Sequence, residues 1–446
     1  MSNLKYWINR ASFSLINRFT IFFFGFATYF VLVRYLDKSD FGIYTLYMII
    51  VTFTEMARNA FVQNGFVKHY VDERFNPKEV VTASLVLNVG LTVVSAFGLY
   101  IFAGAIGDSY KSNDLADMIR IYSYASILFV PYSQLTYYLS AHANFKQMSV
   151  LSICRYTSYF GMVLTGVLLD PTIDLIVLTQ LHAVSIFIGS ALALYVIIKI
   201  GIDKPAFSMP LIKTLFNFGK YTFGTGLNSF LTRSVDQLML GYFISSEAVA
   251  TYNIAGRFLN FIEIPIASIS HMMYPKFANS INMEDVQGER ARLYEKSTGM
   301  LLAAITPFIL VIFIFPSFCI TVIAGEKYLD AVPVLQIFII LNLLKPLGVQ
   351  AGSVLEVAGK PKVIFYALLS STVLNIICNY YLIRMEGPFG GYIGAALASA
   401  LSIVFFTTIA MSYVYRECYF KFTGIFAHMM DAYRIGFELL KTKLSK

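Results

Sequence analysis

An all-α integral membrane protein of about twelve spans, arranged as two pseudo-symmetric six-helix lobes, is the fold that the sequence predicts. Three observations carry it. Charge is scarce: Asp, Glu, Lys and Arg make up 13% of the 446 residues, hydrophobic residues 57%, and mean hydropathy is +0.66. A soluble domain carries about a quarter charged residues. Apolar runs long enough to cross a bilayer recur along the chain. Landmark residues of the first half return in the second at a nearly constant shift.

A span needs about 20 largely apolar residues. By that measure helices are expected over residues 14–36, 41–62, 80–104, 118–140, 148–169, 174–199, 214–241, 248–273, 298–323, 332–356, 362–384 and 390–415. The stretch before the first span, around Trp7, reads as an interfacial turn. It is not a cleavable signal, because the apolar run is too long for an h-region and no small-residue cleavage site follows. The boundaries give an N-terminal lobe (1–206), a C-terminal lobe (207–416) and a cytoplasmic amphipathic tail (417–446). In that tail Phe426, Met429, Met430, Tyr433, Phe437 and Leu440 fall at helical spacing, followed by lysines. It is too charged to span and is expected to lie on the membrane surface.

Orientation follows from the basic residues. Alternate loops and both ends hold about 21 Lys and Arg, against about six in the other loops (Arg34, Lys38, Lys111, Arg120, Lys327, Arg384). The richer side is expected to be cytoplasmic, which places both termini inside and requires an even number of spans.

The repeat is read from landmarks. "RYLDKSDFGIYTLY" closes span 1 and opens span 2, and "GYFISSEAVATYNIA" does the same for spans 7 and 8. Matching Tyr44 to Tyr252 also places Glu55 on Glu263, each eleven residues beyond its tyrosine. Pro131 and Pro346 recur in spans 4 and 10. An odd helix meeting an odd counterpart keeps its direction, so the duplication is parallel. The stretch "GGYIGAALASA" sets Gly390, Gly394 and Ala398 at four-residue spacing, a close helix-packing face.

No Walker A loop, dinucleotide fingerprint, zinc helix or nucleophile elbow is present. None of Cys154, Cys319, Cys378 and Cys418 forms a CxxC pair, so each reads as a small apolar filler and no metal is expected. The histidines are scattered, and His182, the one well inside a span, reads as a satisfied structural residue. The unusual feature is charge inside the spans. Arg18, Glu55, Arg58, Arg155, Lys220, Arg233, Asp236, Arg257, Glu263 and Lys345 all lie there. Each costs about 2.5–3.5 kcal/mol on insertion scales, so each should face water or a partner. Most sit in spans 1, 2, 7 and 8, and the basic ones outnumber the acidic. An interior of that sign attracts an anion, and arginine suits phosphate because it binds two oxygens at once. Simpler readings stand beside this one. Glu55 with Arg58, and Arg233 with Asp236, are three apart and can neutralise each other along one helix. Arg18, Lys220 and Arg257 lie near helix ends and can snorkel. Lys345 can cap a helix bent at Pro346, and Glu263 has no basic residue a turn away.

The segments "VRYLDKSDFGIYTL", "DQLMLGYFISSEAVATYNIAGRF", "AGKPK" and "GPFGGYIGAALASALS", in this order and spacing, resemble the polysaccharide biosynthesis flippase family. These are the O-antigen, capsule and exopolysaccharide lipid-linked oligosaccharide flippases of the MATE-like exporter superfamily. One departure is alanine, in "ISSEAVATY", where the family often has glycine just before the tyrosine. The resemblance implies two lobes around a cavity working by alternating access, not an enzyme. The implied substrate is an undecaprenyl-pyrophosphate-linked oligosaccharide moved from the cytoplasmic to the outer leaflet of the bacterial inner membrane. It implies Arg18, Arg58, Arg155 and Arg233 as pyrophosphate contacts, with Arg257 and Lys345 behind them. Glu55, Asp236 and Glu263 become candidates for ion coupling or gating, by H+ or Na+, with no cofactor. Membrane lipid is an expected partner, a polysaccharide polymerase and a chain-length regulator are further ones, and a monomer that binds no nucleic acid is expected. The competing readings are a multidrug or organic-ion antiporter of the same fold, which would want an acidic or apolar interior, and a membrane-embedded glycan polymerase or ligase, which would want a large outer loop.

Overall fold

A computed structural model describes residues 2–170, 172–201 and 206–444, and among these no strand occurs. The chain packs as two compact units. One runs to Leu231 and includes Ser245–Glu247; the other comprises Thr232–Ile244 and the chain from Ala248 onward.

In the first unit the helices are α1 (Ser2–Tyr35), α2 (Lys38–Tyr70), α3 (Pro77–Ser109), α4 (Asn113–Leu128), α5 (Val130–Ala141), α6 (Phe145–Leu169), α7 (Leu175–Ile200) and the start of α8 (Met209–Phe243). The second unit holds the end of α8, most of α9 (Ser246–Arg257), then α10 (Leu259–Asn279), α11 (Val286–Ile314), α12 (Pro316–Ala324), α13 (Val332–Leu341), α14 (Lys345–Val357), α15 (Pro361–Leu382), α16 (Gly391–Cys418) and α17 (Phe422–Leu444).

Every expected span falls on helix. Several consist of two pieces: α4 and α5 meet at Phe129, α9 and α10 at Phe258, α11 and α12 at Phe315, and α13 and α14 across Asn342–Leu344 with a 40° bend. Three of these breaks precede a proline by one to a few residues (Pro131, Pro316, Pro346). Proline has no N–H to give the ladder and its ring crowds the preceding turn. Among the described residues, six helices alone are long and apolar enough to cross a membrane, or seven if the bent α13–α14 pair is one span. The others are the broken α4–α5 pair and the helices that carry the intramembrane charges.

The packing is inverted relative to a soluble protein. Val94, Phe97 and Phe102 on α3 are exposed, whereas Asn88 on the same helix is fully buried and donates to Ser133 and Gln134 of α5. With lipid outside there is no water to satisfy these groups, so they bond helix to helix. In the first unit α8 approaches α2 closely. A Cβ at Gly219 would lie 2.9 Å from the Phe61 Cα and closer still to its carbonyl, and Thr222 donates to the Ala60 carbonyl nearby. Gly219→Ala is therefore expected to destabilise the protein by about 1–3 kcal/mol, the usual penalty for overpacking, read as a lower thermal unfolding midpoint in detergent.

Helix α17 forms where the spacing predicts it, but it is not a free surface helix. Ile425 is buried in a cluster with Leu302 of α11, and Gly299 lets the two backbones meet. The stripe read from sequence is divided: Met429 packs inward, while Phe426, Met430 and Phe437 stay exposed.

Candidate functional site

In the first unit the charges gather where α4 breaks into α5. Helix α2 brings Glu55 and Arg58, and α6 brings Arg155. The Arg155 Nη2 lies 3.1 Å from Glu55 Oε1, with the two side chains 7% and 24% exposed. Glu55 thus takes its partner from a neighbouring helix rather than from Arg58 one turn along its own. Both guanidinium groups sit 4.4 Å from the centre of the Phe129 ring, the residue at the break. Aromatic faces attract cations, and more so away from water. Arg58 is 4% exposed, and its Nε and Nη2 have no hydrogen-bond acceptor among the described residues. Two guanidinium groups against one carboxylate leave this buried centre with a net positive charge.

A shell of hydroxyls and rings surrounds it. Tyr137 donates to Asn59 Oδ1 (2.8 Å), the Tyr47 hydroxyl meets His182 Nδ1 (2.8 Å), and Tyr44 meets Tyr159 (2.9 Å). His182 lies parallel to Tyr122, so its role in this fold is a satisfied packing residue.

In the second unit two separate centres form. Asp236 of α8 is 6% exposed and accepts from Asn379 Nδ2 (2.5 Å), Ser399 Oγ (2.5 Å) and the Tyr252 hydroxyl. These donors come from α15, α16 and α9. No cation among the described residues pairs with Asp236. Arg233, three residues before it, is exposed and forms no ion pair with it. Beside the carboxylate, the Asn379 Oδ1 is buried without a donor, and Asn379 Nδ2 also reaches Asn375 Oδ1 (3.1 Å). The other centre is the pair Lys345 Nζ–Glu263 Oε1, at 2.6 Å, with side chains 32% and 45% exposed. Lys345 opens α14 after the bend, which carries it across to α10.

The repeat extends to the two carboxylates but not to the helices that supply their partners. Glu55 and Glu263, equivalent by sequence, each neutralise a cation from another helix near a broken span. The cation comes from α6 in one half and from α14 in the other. The remaining candidates stand apart. Arg18 is exposed on α1. Lys220 is exposed, bonded to Asn217 Oδ1 (3.1 Å) and near the Tyr221 ring. Arg257 Nε reaches Asn253 Oδ1 at 3.4 Å. Sequence reasoning did not single out Phe129, Asn375, Asn379 and Ser399, and it gave Tyr252 only as a landmark of the repeat. Asn375 and Asn379, one turn apart in an apolar run, were the available signal.

A family described as "Polysaccharide biosynthesis protein" matches residues 31–333. The chain belongs to this family. Its similarity to curated proteins is distributed across species. It is 27% identical over 286 residues to teichuronic acid biosynthesis protein TuaB of Bacillus subtilis (strain 168), covering 63% of this chain and 57% of TuaB. It is 22% identical over 408 residues to lipopolysaccharide biosynthesis protein WzxC of Escherichia coli (strain K12), covering 91% of this chain and 80% of WzxC. It is 22% identical over 384 residues to the probable low-salt glycan biosynthesis flippase Agl15 of Haloferax volcanii, covering 85% and 78%. Among solved structures, lipid II flippase MurJ in an inward closed conformation superposes with a TM-score of 0.75 at 14% identity, covering 97% of this chain and 93% of MurJ. An inward-facing multidrug MATE transporter of the MOP superfamily superposes at 0.69 and 13% identity, covering 92% and 98%. Those likenesses show that this polysaccharide biosynthesis protein has the fold of the MATE-like exporters.

Proposed function

We propose that this protein is a flippase, not an enzyme, that moves an undecaprenyl-pyrophosphate-linked oligosaccharide from the cytoplasmic to the outer leaflet by alternating access. The observation that carries the reading is the net-positive centre at Phe129. Arg58 holds two guanidinium nitrogens there, Nε and Nη2, without an acceptor among the described residues, and a pyrophosphate offers paired oxygens at the spacing such a fork binds. Arg155 lends charge to the same place, and Arg18, Arg233, Arg257 and Lys345 supply further contacts as the headgroup travels. A family of polysaccharide biosynthesis proteins, and a relative, Agl15, named as a probable glycan biosynthesis flippase, support a lipid-linked glycan as the cargo. The excess of basic residues on one set of loops supports cytoplasmic termini in the inner membrane.

Ion coupling belongs to Asp236. Of the three candidate carboxylates, Glu55 and Glu263 already hold cations, whereas Asp236 is held by neutral donors only. A buried carboxylate so placed, beside an unsatisfied amide oxygen, suits H+ or Na+. An antiporter of organic cations would be poorly served by a positive interior.

The test is to delete the gene and locate the lipid-linked glycan. It should accumulate on the cytoplasmic leaflet, with delivery restored by the wild type and reduced about 10- to 100-fold by Arg58→Ala, the loss expected for a charged hydrogen bond. Normal outer-leaflet delivery in the deletion strain, or a measured preference for cationic dyes, would sink the reading.

A further inference from the structure

At the ends of α8 and α15, where α16 begins, lies a cavity of about 580 Å³. That volume falls within the range of small-molecule sites. Its lining includes Phe243, Arg384, Glu386 and Tyr392, all in the second unit. The Arg384 guanidinium is held 4.9 Å from the Tyr380 ring centre and 5.6 Å from that of Phe243. Arg384 and Glu386 are two residues apart, yet they form no ion pair with each other or with any described residue.

Opposite charges this close in sequence, both lining one cavity and neither in an ion pair, give it a mixed lining. An anion would be opposed by Glu386, and a cation by Arg384. A sugar ring satisfies both. Its adjacent hydroxyls each donate and accept, so a carboxylate can receive two hydrogen bonds while a guanidinium gives two. The apolar C–H face of a pyranose also packs on aromatic rings, which this cavity supplies in Phe243 and Tyr392. We propose that this cavity is a docking site for a neutral pyranose of the transported glycan. The proposal rests on the flippase reading for the source of the sugar, and on the loop charges for its placement at the outer face. There it would hold the glycan as it leaves.

The experiment is saturation-transfer difference NMR on the full-length protein in detergent, with methyl glucoside, methyl mannoside, methyl galactoside and methyl glucuronide as probes. At least one neutral glycoside should give a signal. The double variant Arg384→Ala/Glu386→Gln should weaken its binding more than about 10-fold, because two charge-assisted hydrogen bonds are lost. Both side chains are exposed, so an unchanged unfolding midpoint will show that the variant is folded. No signal from any neutral glycoside, an undiminished signal in the variant, or binding of the glucuronide alone would each overturn the proposal. Sugar binding with normal glycan delivery in the deletion strain would keep this site and remove the flippase reading. Absent sugar binding with failed delivery would do the reverse.

Discussion

Glu55→Ala is expected to destabilise the protein by about 3–5 kcal/mol, because it strands the Arg155 guanidinium in the interior of the first unit without its carboxylate. Breaking one partner of a buried pair is worse than removing both. Glu55→Ala/Arg155→Gln should therefore recover much of the loss, and Arg155→Gln alone should fall between. A double-mutant cycle of unfolding in detergent measures this, and a coupling above about 0.5 kcal/mol is expected for residues in contact. If Glu55→Ala unfolds at the wild-type midpoint, the pair is not a structural element. Arg58→Ala supplies the contrast. It removes a cation that has no carboxylate of its own, so it should reduce transport without a loss of that size in stability.

The second large effect concerns Asp236. Asp236→Asn keeps the shape of the side chain and removes its charge, so the protein should fold yet lose its response to an ion gradient. One elementary charge moved across 100 mV is worth about 2.3 kcal/mol, about 50-fold in a steady-state distribution. The measurement is glycan-lipid translocation in sealed vesicles, with and without an imposed H+ or Na+ gradient. Stimulation that survives in Asp236→Asn rules out coupling at this residue. Asp236→Ala should be worse for folding, since Asn379, Ser399 and Tyr252 would then point donors at an empty space. Each buried donor left unmade costs about 1–3 kcal/mol.

Much of the molecule was legible before any coordinate. Apolar runs located every span because lipid admits only backbone that satisfies itself. Tyr44 and Tyr252, with Glu55 and Glu263 eleven residues beyond, exposed the duplication. Pro346 marked one of the broken spans, while Pro131, read only as a landmark of the repeat, lies just after another break. The charges inside the bilayer named themselves as candidates because each is expensive there.

Partners were another matter. Spacing along one helix suggested Glu55 with Arg58 and Arg233 with Asp236, and it gave Glu263 no partner at all. The fold instead joined Glu55 to Arg155, Glu263 to Lys345, and Asp236 to three neutral donors on three other helices. It also turned Met429 of the α17 stripe inward and set the helix backbone against Gly299. A sequence records neighbours three and four residues apart on a single helix, which fixes a face. Which face of one helix meets which face of another depends on the rotation and crossing of both, set jointly by small residues, proline bends and the packing of every other span. The sequence by itself therefore determined the spans, their duplication and the set of charged candidates within them. Only the tertiary structure decided which charges are neutralised, and so left Arg58 and Asp236 as the two buried candidates without an ion pair among the described residues.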